Sequence, residues 1–507
     1  MSEKARQRYQ NYLEITQKAA DFNNAAAVLS WDQEVYMPPK GFDFRGRQLA
    51  TLAAQAHELL TSEEYGNLLH QLSEEQLPED QFHNVRLSLD DFDKNRKLSA
   101  TFVEQLARQQ SASYNAWLES RKHNRFDLYA AELGKMIVLK KQQAELYGYS
   151  DHPYDALLDD YEKGATVAML NPVFAQMSEQ LTPLLQEIRA AEQADDSFFR
   201  KNYPTQEQFD FTLYILRKIG YDFEAGRQDY SEHPFSISFA PTDSRVTTRV
   251  DEKNLSSILW SSIHEGGHAL YEQGLSVDHY GLPLGAPTSL SIHESQSRLW
   301  ENGIGRSLAF WRFCFPELKS RFPSQLADVS ELDFFKAANK VSPSLIRTEA
   351  DELTYHFHVM IRFEIEKEII CGSIPVNELP ELWDAYYKKH LGISAPDAKQ
   401  GILQDVHWSH GSFGYFPTYS LGSFYAAQFL NKAEKDLKDL EQQILNGQFG
   451  NLLDWLRRNI HQHGRRYTSA ELCERITGKP LDISQFVNYL KNKYATVYDL
   501  SKIEHVS

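Results

Sequence analysis

Apolar residues recur at three- and four-residue spacing over 4–29, 47–75, 99–147, 167–193 and 205–219, and again over 331–340, 347–371, 380–389, 422–445 and 450–463. That period predicts amphipathic helices, each with one face turned to a core, and the 99–147 stretch is long enough for more than one. Period-two alternation is clearest in FSISFAPTDSRVTTRV, 235–250, where Phe235, Ile237 and Phe239 alternate and PTDS supplies a turn; this predicts a hairpin. No Pro-, Gly- or Ser-rich linker divides the chain and no internal repeat occurs. The pattern predicts a mostly α protein: one large helical body spanning 1–507, with a small β element just before a helix from about Leu255 to Tyr271.

Composition narrows the class. Hydrophobic residues at 42% and charged residues at 24% are ordinary for a folded soluble protein. The net charge of −17, with no long Lys/Arg run, argues against nucleic acid and acidic membrane surfaces as partners. The first residues are charged and lack an apolar leader core, and no segment approaches 18 consecutive apolar residues, so a cytoplasmic location is expected. Cys314, Cys371 and Cys473 are too few and too scattered for a disulfide framework or a thiolate zinc site. A metal, if held, is held by His and carboxylate.

The helix over 255–271 contains HEGGH. His264 and His268 stand one turn apart on one face, so both rings reach one ion, and Glu265 is rotated toward the space beside it. Gly266 and Gly267 each cost about 1 kcal/mol relative to Ala inside a helix, and close approach of another backbone or of a substrate is the usual compensation. Two imidazoles do not complete a catalytic zinc site. Glu272 lies one turn further along the same helix and is badly placed to converge with them. Glu294, 26 residues past His268 in SLSIHESQSRLWENGIG, opens a second helical pattern (Leu299, Ile304, Leu308) that can cross the first; spacing leaves Asp278 and Glu301 open as well. An ordinary alternative for Glu294 is an ion pair with Arg298 at i+4, and for the histidines a hydrogen-bonded core. His293 reads as a supporting residue rather than a ligand, His356 and His358 as structural, and His461 and His463 as surface.

Several stretches together resemble one family, the M32 metallocarboxypeptidases: WDQEVYMPPKGFDFRGRQLATLAAQAHEL from Trp31, DSRVTTR from Asp243, HEGGH from His264, HESQSRLWEN from His293, IRTEADELTYHFHVMIRFEIE from Ile346 and GILQDVHW from Gly401. The resemblance implies a zinc- or cobalt-dependent exopeptidase, mostly helical, with a long, deep groove between two halves, usually a homodimer. It implies one divalent ion per chain on His264, His268 and Glu294. It also implies hydrolysis of the C-terminal peptide bond by a metal-activated water, with Glu265 as general base and broad specificity.

Two further needs of that chemistry have candidates. Donors for the developing oxyanion are sought in GILQDVHWSHGSFGYFPTYSLG, where His407, Tyr415 and Tyr419 are grouped; the resemblance favours His407 and Tyr419. The substrate's terminal carboxylate calls for a guanidinium fork, and the same motifs single out Arg347 and Arg245, each with an acid nearby (Asp351, Asp243) that offers an internal salt bridge instead. Two other classes remain to be separated. A helical metallo-oligopeptidase would share the metal set but need no carboxylate clamp. A non-enzymatic peptide-binding scaffold would show a broken catalytic set, and this set is intact.

Overall fold

The computed structural model describes residues 1–500. Among them the chain is mostly α-helical, with one three-stranded sheet and no helix long and apolar enough to cross a membrane. Contacts gather into two compact units. The first comprises Met1–Arg96, Asp195–Ala338 and Phe429–Pro480; among the described residues the second comprises Lys97–Ala194, Asn339–Gln428 and 481–500. Each unit is assembled from three separated segments of the chain.

In the first unit, helices Glu3–Val35, Glu63–Ser73 and Glu79–Arg96 bury Tyr9, Tyr12, Tyr65, Leu69, Val85 and Phe92 in one cluster. Periodicity does not mark Glu79–Arg96, since this helix also buries the polar Asn84 and Ser88. The expected hairpin is present: β2 (Ser236–Ala240) runs antiparallel to β3 (Asp243–Thr248) with Ile237 opposite Arg245, and the register slips between Ser238 and Ala240. A third strand, β1 (Gln228–Tyr230), was not marked by alternation; it is only three residues long and pairs parallel to β3, giving the order β1-β3-β2.

The HEGGH helix spans Leu255–Glu272, started by Asn254, whose side chain accepts from the Ser257 N–H. It buries Ile258, Leu259, Ile263 and Leu270, the stripe that its sequence shows. Its two interior glycines are explained by close approach. A Cβ on Gly266 would meet Leu216 Cδ2 at 2.4 Å, and one on Gly267 would meet Ser297 Cα at 2.7 Å and the Gln296 carbonyl oxygen at 2.8 Å. Gly267 is therefore what lets helix Leu290–Arg298, which carries Glu294, lie backbone-close to the histidine helix.

The second unit is built around helix Tyr355–Cys371, whose Phe357, Val359, Ile361, Phe363 and Ile365 are buried on several sides at once, as in a core helix. The 99–147 pattern resolves into Ala100–His123 and Asp127–Tyr147, parted where Asn124 takes a left-handed conformation (φ 55°). Residues 393–415 have only turns and bends before helix Phe416–Asp436 begins.

Candidate active site

The first unit holds the histidine–carboxylate cluster. His264 Nε2 and His268 Nε2 lie 3.6 Å and 3.4 Å from the same oxygen, Glu294 Oε2. Their other nitrogens are engaged: His264 Nδ1 is 2.9 Å from Glu301 Oε2 and His268 Nδ1 is 3.0 Å from the His293 carbonyl oxygen. With the ring protons on Nδ1, facing the Glu301 carboxylate and the His293 carbonyl, two Nε2 lone pairs and a carboxylate oxygen converge; His293 Nδ1 also lies 2.6 Å from His268 Nδ1. These ligand atoms lie within 4.8 Å of one another. The donor set suits a divalent ion of the zinc type, and the partners at Nδ1 are those that orient ligating imidazoles.

Electrostatics agree with that geometry. Burial works against ionisation of Glu294, yet the Arg298 guanidinium and the histidines hold it well below the usual carboxylate range. Burial disfavours a charged His268, lowering it to about 3, whereas at His264 the carboxylates of Glu294 and Glu301 outweigh burial and raise it. Arg298 Nε donates to Glu294 Oε1 at 2.7 Å, the i+4 ion pair set out as its ordinary alternative, while Oε2 faces the imidazoles. Glu265 lies beside the cluster and outside the ligand group; burial pushes its carboxyl up, and its bond with Ser236 of β2 and the nearby His264 pull it back.

Competing carboxylates fall elsewhere. Glu301 binds His264 Nδ1, Arg298 and Arg306 from a π-helical stretch, Leu299–Gly305, that follows the Glu294 helix directly. Asp278 is exposed on a short turn, and Glu272 bonds His293 Nε2 at 2.9 Å. One expectation is corrected here. His461 is not at the surface but fully buried, with Nε2 2.9 Å from Gln296 Oε1 and its ring against Tyr271. It occupies the space left by Gly274, where a Cβ would meet its ring at 2.2 Å. His356 and His358 are buried and bonded to Ser420 and Tyr387.

Arg245, on β3, grips Asp243 with Nε and Nη2, both at 2.8 Å, and its guanidinium lies between the Trp31 and Phe239 rings at 4.4 and 4.9 Å.

The second unit gathers the remaining candidates. His407 Nε2 is 3.1 Å from Tyr419 Oη, and Tyr415 packs against both rings. Arg347 lies with its guanidinium 4.9 Å from the Tyr419 ring centre and donates to Tyr355 Oη at 3.0 Å. Its Nε and Nη2 reach Asp405 Oδ1 at 3.0 and 2.9 Å, while Arg362 Nε takes Asp405 Oδ2 at 2.6 Å. Asp351, the acid anticipated for Arg347, instead caps the following turn through Thr354 and Leu353. Burial, then the Arg347 charge, lowers His407 to about 3, so its imidazole is neutral. Tyr355, Arg362 and Asp405 were missed from sequence as site residues. All three lie inside the quoted motifs, although on its helix Arg362 reads as a surface charge.

The comparisons bear on the whole chain. The family model described as carboxypeptidase Taq (M32) metallopeptidase matches residues 11–494. Thermostable carboxypeptidase 1 of Thermus thermophilus is 41% identical over 504 residues, covering 97% of this chain and 99% of that protein. Carboxypeptidase 1 of Bacillus subtilis is 37% identical over 490 residues, covering 96% and 98%. The crystal structure of an M32 carboxypeptidase from Deinococcus radiodurans R1 superposes with a TM-score of 0.96 at 39% identity, covering 97% of this chain and 100% of that one. Matches of this extent, together with a His-His-Glu cluster at HEGGH and Glu294, establish that the chain belongs to the carboxypeptidase Taq (M32) family of metallopeptidases.

Proposed function

We propose that the chain hydrolyses the C-terminal peptide bond of peptides with a free carboxylate, with broad specificity, using one zinc or cobalt ion on His264, His268 and Glu294. The observation that carries this reading is the convergence of both Nε2 atoms on Glu294 Oε2, with Glu265 adjacent and not ligating. When bound, the ion supplies a Lewis acid that acidifies water and polarises a carbonyl. Glu265 takes the proton of the attacking water on its carboxylate and delivers it to the departing amine nitrogen; its raised pKa suits a group that must both accept and release a proton. His407 Nε2–H and Tyr419 Oη–H donate to the charge developing on the carbonyl oxygen, which a neutral imidazole does without competing for the ion's role. A homodimer working in the cytoplasm is proposed from the family resemblance and the composition.

Arg347 is assigned the terminal carboxylate ahead of Arg245. Asp405 divides its charge between Arg347 and Arg362, whereas Asp243 forks with Arg245 alone. Arg347 also lies against Tyr419, one of the oxyanion candidates. A charge-assisted contact of this kind is worth about 1.5–3 kcal/mol, or roughly ten- to a hundredfold. Amidating the peptide C-terminus is expected to lower kcat/KM by that factor, Arg347→Ala by about as much, and both together by little more than either, since each removes the same contact. Arg347→Lys recovers only part, an ammonium having no fork. The measurement is kcat/KM for free-acid and amidated forms of one peptide on each enzyme. An unchanged free-acid preference in Arg347→Ala moves the clamp to Arg245. Equal internal cleavage of the amidated peptide by the parent enzyme selects the oligopeptidase reading.

A separate prediction follows from the backbone approach at Gly267. Gly267→Ala forces the Ser297–Gln296 backbone away, and Glu294 with it. Overpacking of this sort costs about 1–3 kcal/mol. Metal affinity is expected to fall together with the unfolding midpoint, which metal titration and thermal melts of the same variant check; normal affinity would mean that the second helix is free to shift.

A further inference from the structure

His407 sits in a stretch without regular secondary structure, yet both it and its partner Tyr419 must be fixed within fractions of an ångström to serve a transition state. The Tyr355–Cys371 helix provides the fixing groups. Arg362 and Glu366, one turn apart, face the 405–414 stretch: Arg362 holds Asp405, and Glu366 holds two later points. The Trp408 indole N–H donates to Glu366 Oε1 at 2.7 Å, and the Gly414 N–H donates to Glu366 Oε2 at 2.9 Å. Tyr154 Oη–H donates to the same Oε2. Glu366 thus ties together the two ends of the 408–414 turn, one residue after His407 and two before the helix that carries Tyr419.

A carboxylate with no exposed surface is costly, and its cost is offset only when its lone pairs are satisfied. Here every donor comes from the segment that flanks His407 or from Tyr154, which braces it. The donors are themselves closely packed. Trp408 stacks parallel to Phe413 and meets Trp383 edge-on, and Gly414 has φ 98° with a Cβ position 2.7 Å from the Leu157 carbonyl oxygen. No surface ion pair explains an acid in this place.

We propose that Glu366 is a positioning residue that sets His407 by clamping the two ends of the 408–414 turn. This rests on the reading that His407 stabilises developing charge. Glu366→Gln keeps the volume but replaces one acceptor oxygen by an NH2, so that either Trp408 or the Gly414–Tyr154 side faces a donor. A misplacement of about 1 Å costs up to a hundredfold; kcat is expected to fall roughly ten- to a hundredfold with KM within about threefold. Trp408→Phe, which removes one donor and keeps an aromatic ring in place, is expected to lower kcat in the same direction by less, and it serves as the probe should Glu366→Gln fail to fold.

The deciding arm repeats both substitutions in a His407→Ala background, with metal content and near-ultraviolet circular dichroism matched across the set. If Glu366 acts through His407, the second substitution costs less than about twofold there. Loss by the same factor in both backgrounds overturns the proposal and leaves the role of His407 standing. Unchanged kcat for Glu366→Gln overturns it as well. A His407→Ala enzyme with normal kcat overturns the reading of His407 and the proposal with it.

Discussion

Exhaustive chelation is expected to abolish peptide hydrolysis, and zinc or cobalt to restore it. Imidazoles and a carboxylate hold an ion only when deprotonated and release it to a competitor, and the Nε2 atoms of His264 and His268 converge on Glu294 Oε2. Glu294→Ala removes one of the three proposed protein ligands and is expected to lose metal and activity together. Its fold is expected to survive, because Arg298, which loses one partner, retains Glu301 through Nη1 at 3.1 Å. Glu301→Gln provides the contrast. It leaves the three proposed ligands in place and weakens the support at His264 Nδ1, along with the ion pairs to Arg298 and Arg306, a change worth about ten- to a hundredfold in metal affinity. Metal content per chain and activity after dialysis, measured for both variants, separate the roles. A Glu294→Ala protein with a full complement of metal would make another carboxylate the third ligand, and full activity in demetallated protein would remove the metal from the reaction.

What could be read in the chain follows the range of the interactions involved. The HEGGH helix and the proposed base are local: one turn separates His264 from His268, and the apolar stripe and the Asn254 start are written in consecutive residues. The hairpin is likewise local, and β3 delivers Arg245 to Asp243 two residues away. Glu294 could be narrowed to a few carboxylates but not chosen by spacing, because what selects it is the close crossing at Gly267, a contact across some 30 residues visible only as an unexplained glycine.

Less legible were contacts fixed by tertiary packing. Glu301 looked like a competing ligand, since a regular helix places it on the Glu294 side; the π-helical Leu299–Gly305 stretch redirects it to His264 Nδ1. His461 looked like a surface residue near the end of the chain, and nothing local announces that Gly274 makes room for its ring. Arg362 and Glu366 read as an ordinary i,i+4 helix pair. Their partners, Asp405, Trp408 and Gly414, lie some 40 residues further on, in a stretch with no periodicity to anchor a prediction.

Replacing Glu265 by Gln is expected to leave the metal bound and lower kcat by about 10²- to 10⁴-fold, the usual loss when a general base is removed. Glu265 follows His264 immediately, so the helix turns its carboxyl aside from the ligand face by about 100°, and it is absent from the converging ligand group. Gln has nearly the same size and can still bond Ser236, so the helix and the His264–His268 spacing are expected to be unchanged and KM to move little. What is lost is the proton acceptor alone. Glu265→Asp keeps the acceptor on a shorter stem and is expected to fall between the two, since proton transfer demands hydrogen-bond reach as well as basicity. Metal stoichiometry and kcat measured on the same preparations give the answer. Metal loss in proportion to activity would make Glu265 a ligand, and a kcat within tenfold of the parent enzyme would place the base on another residue.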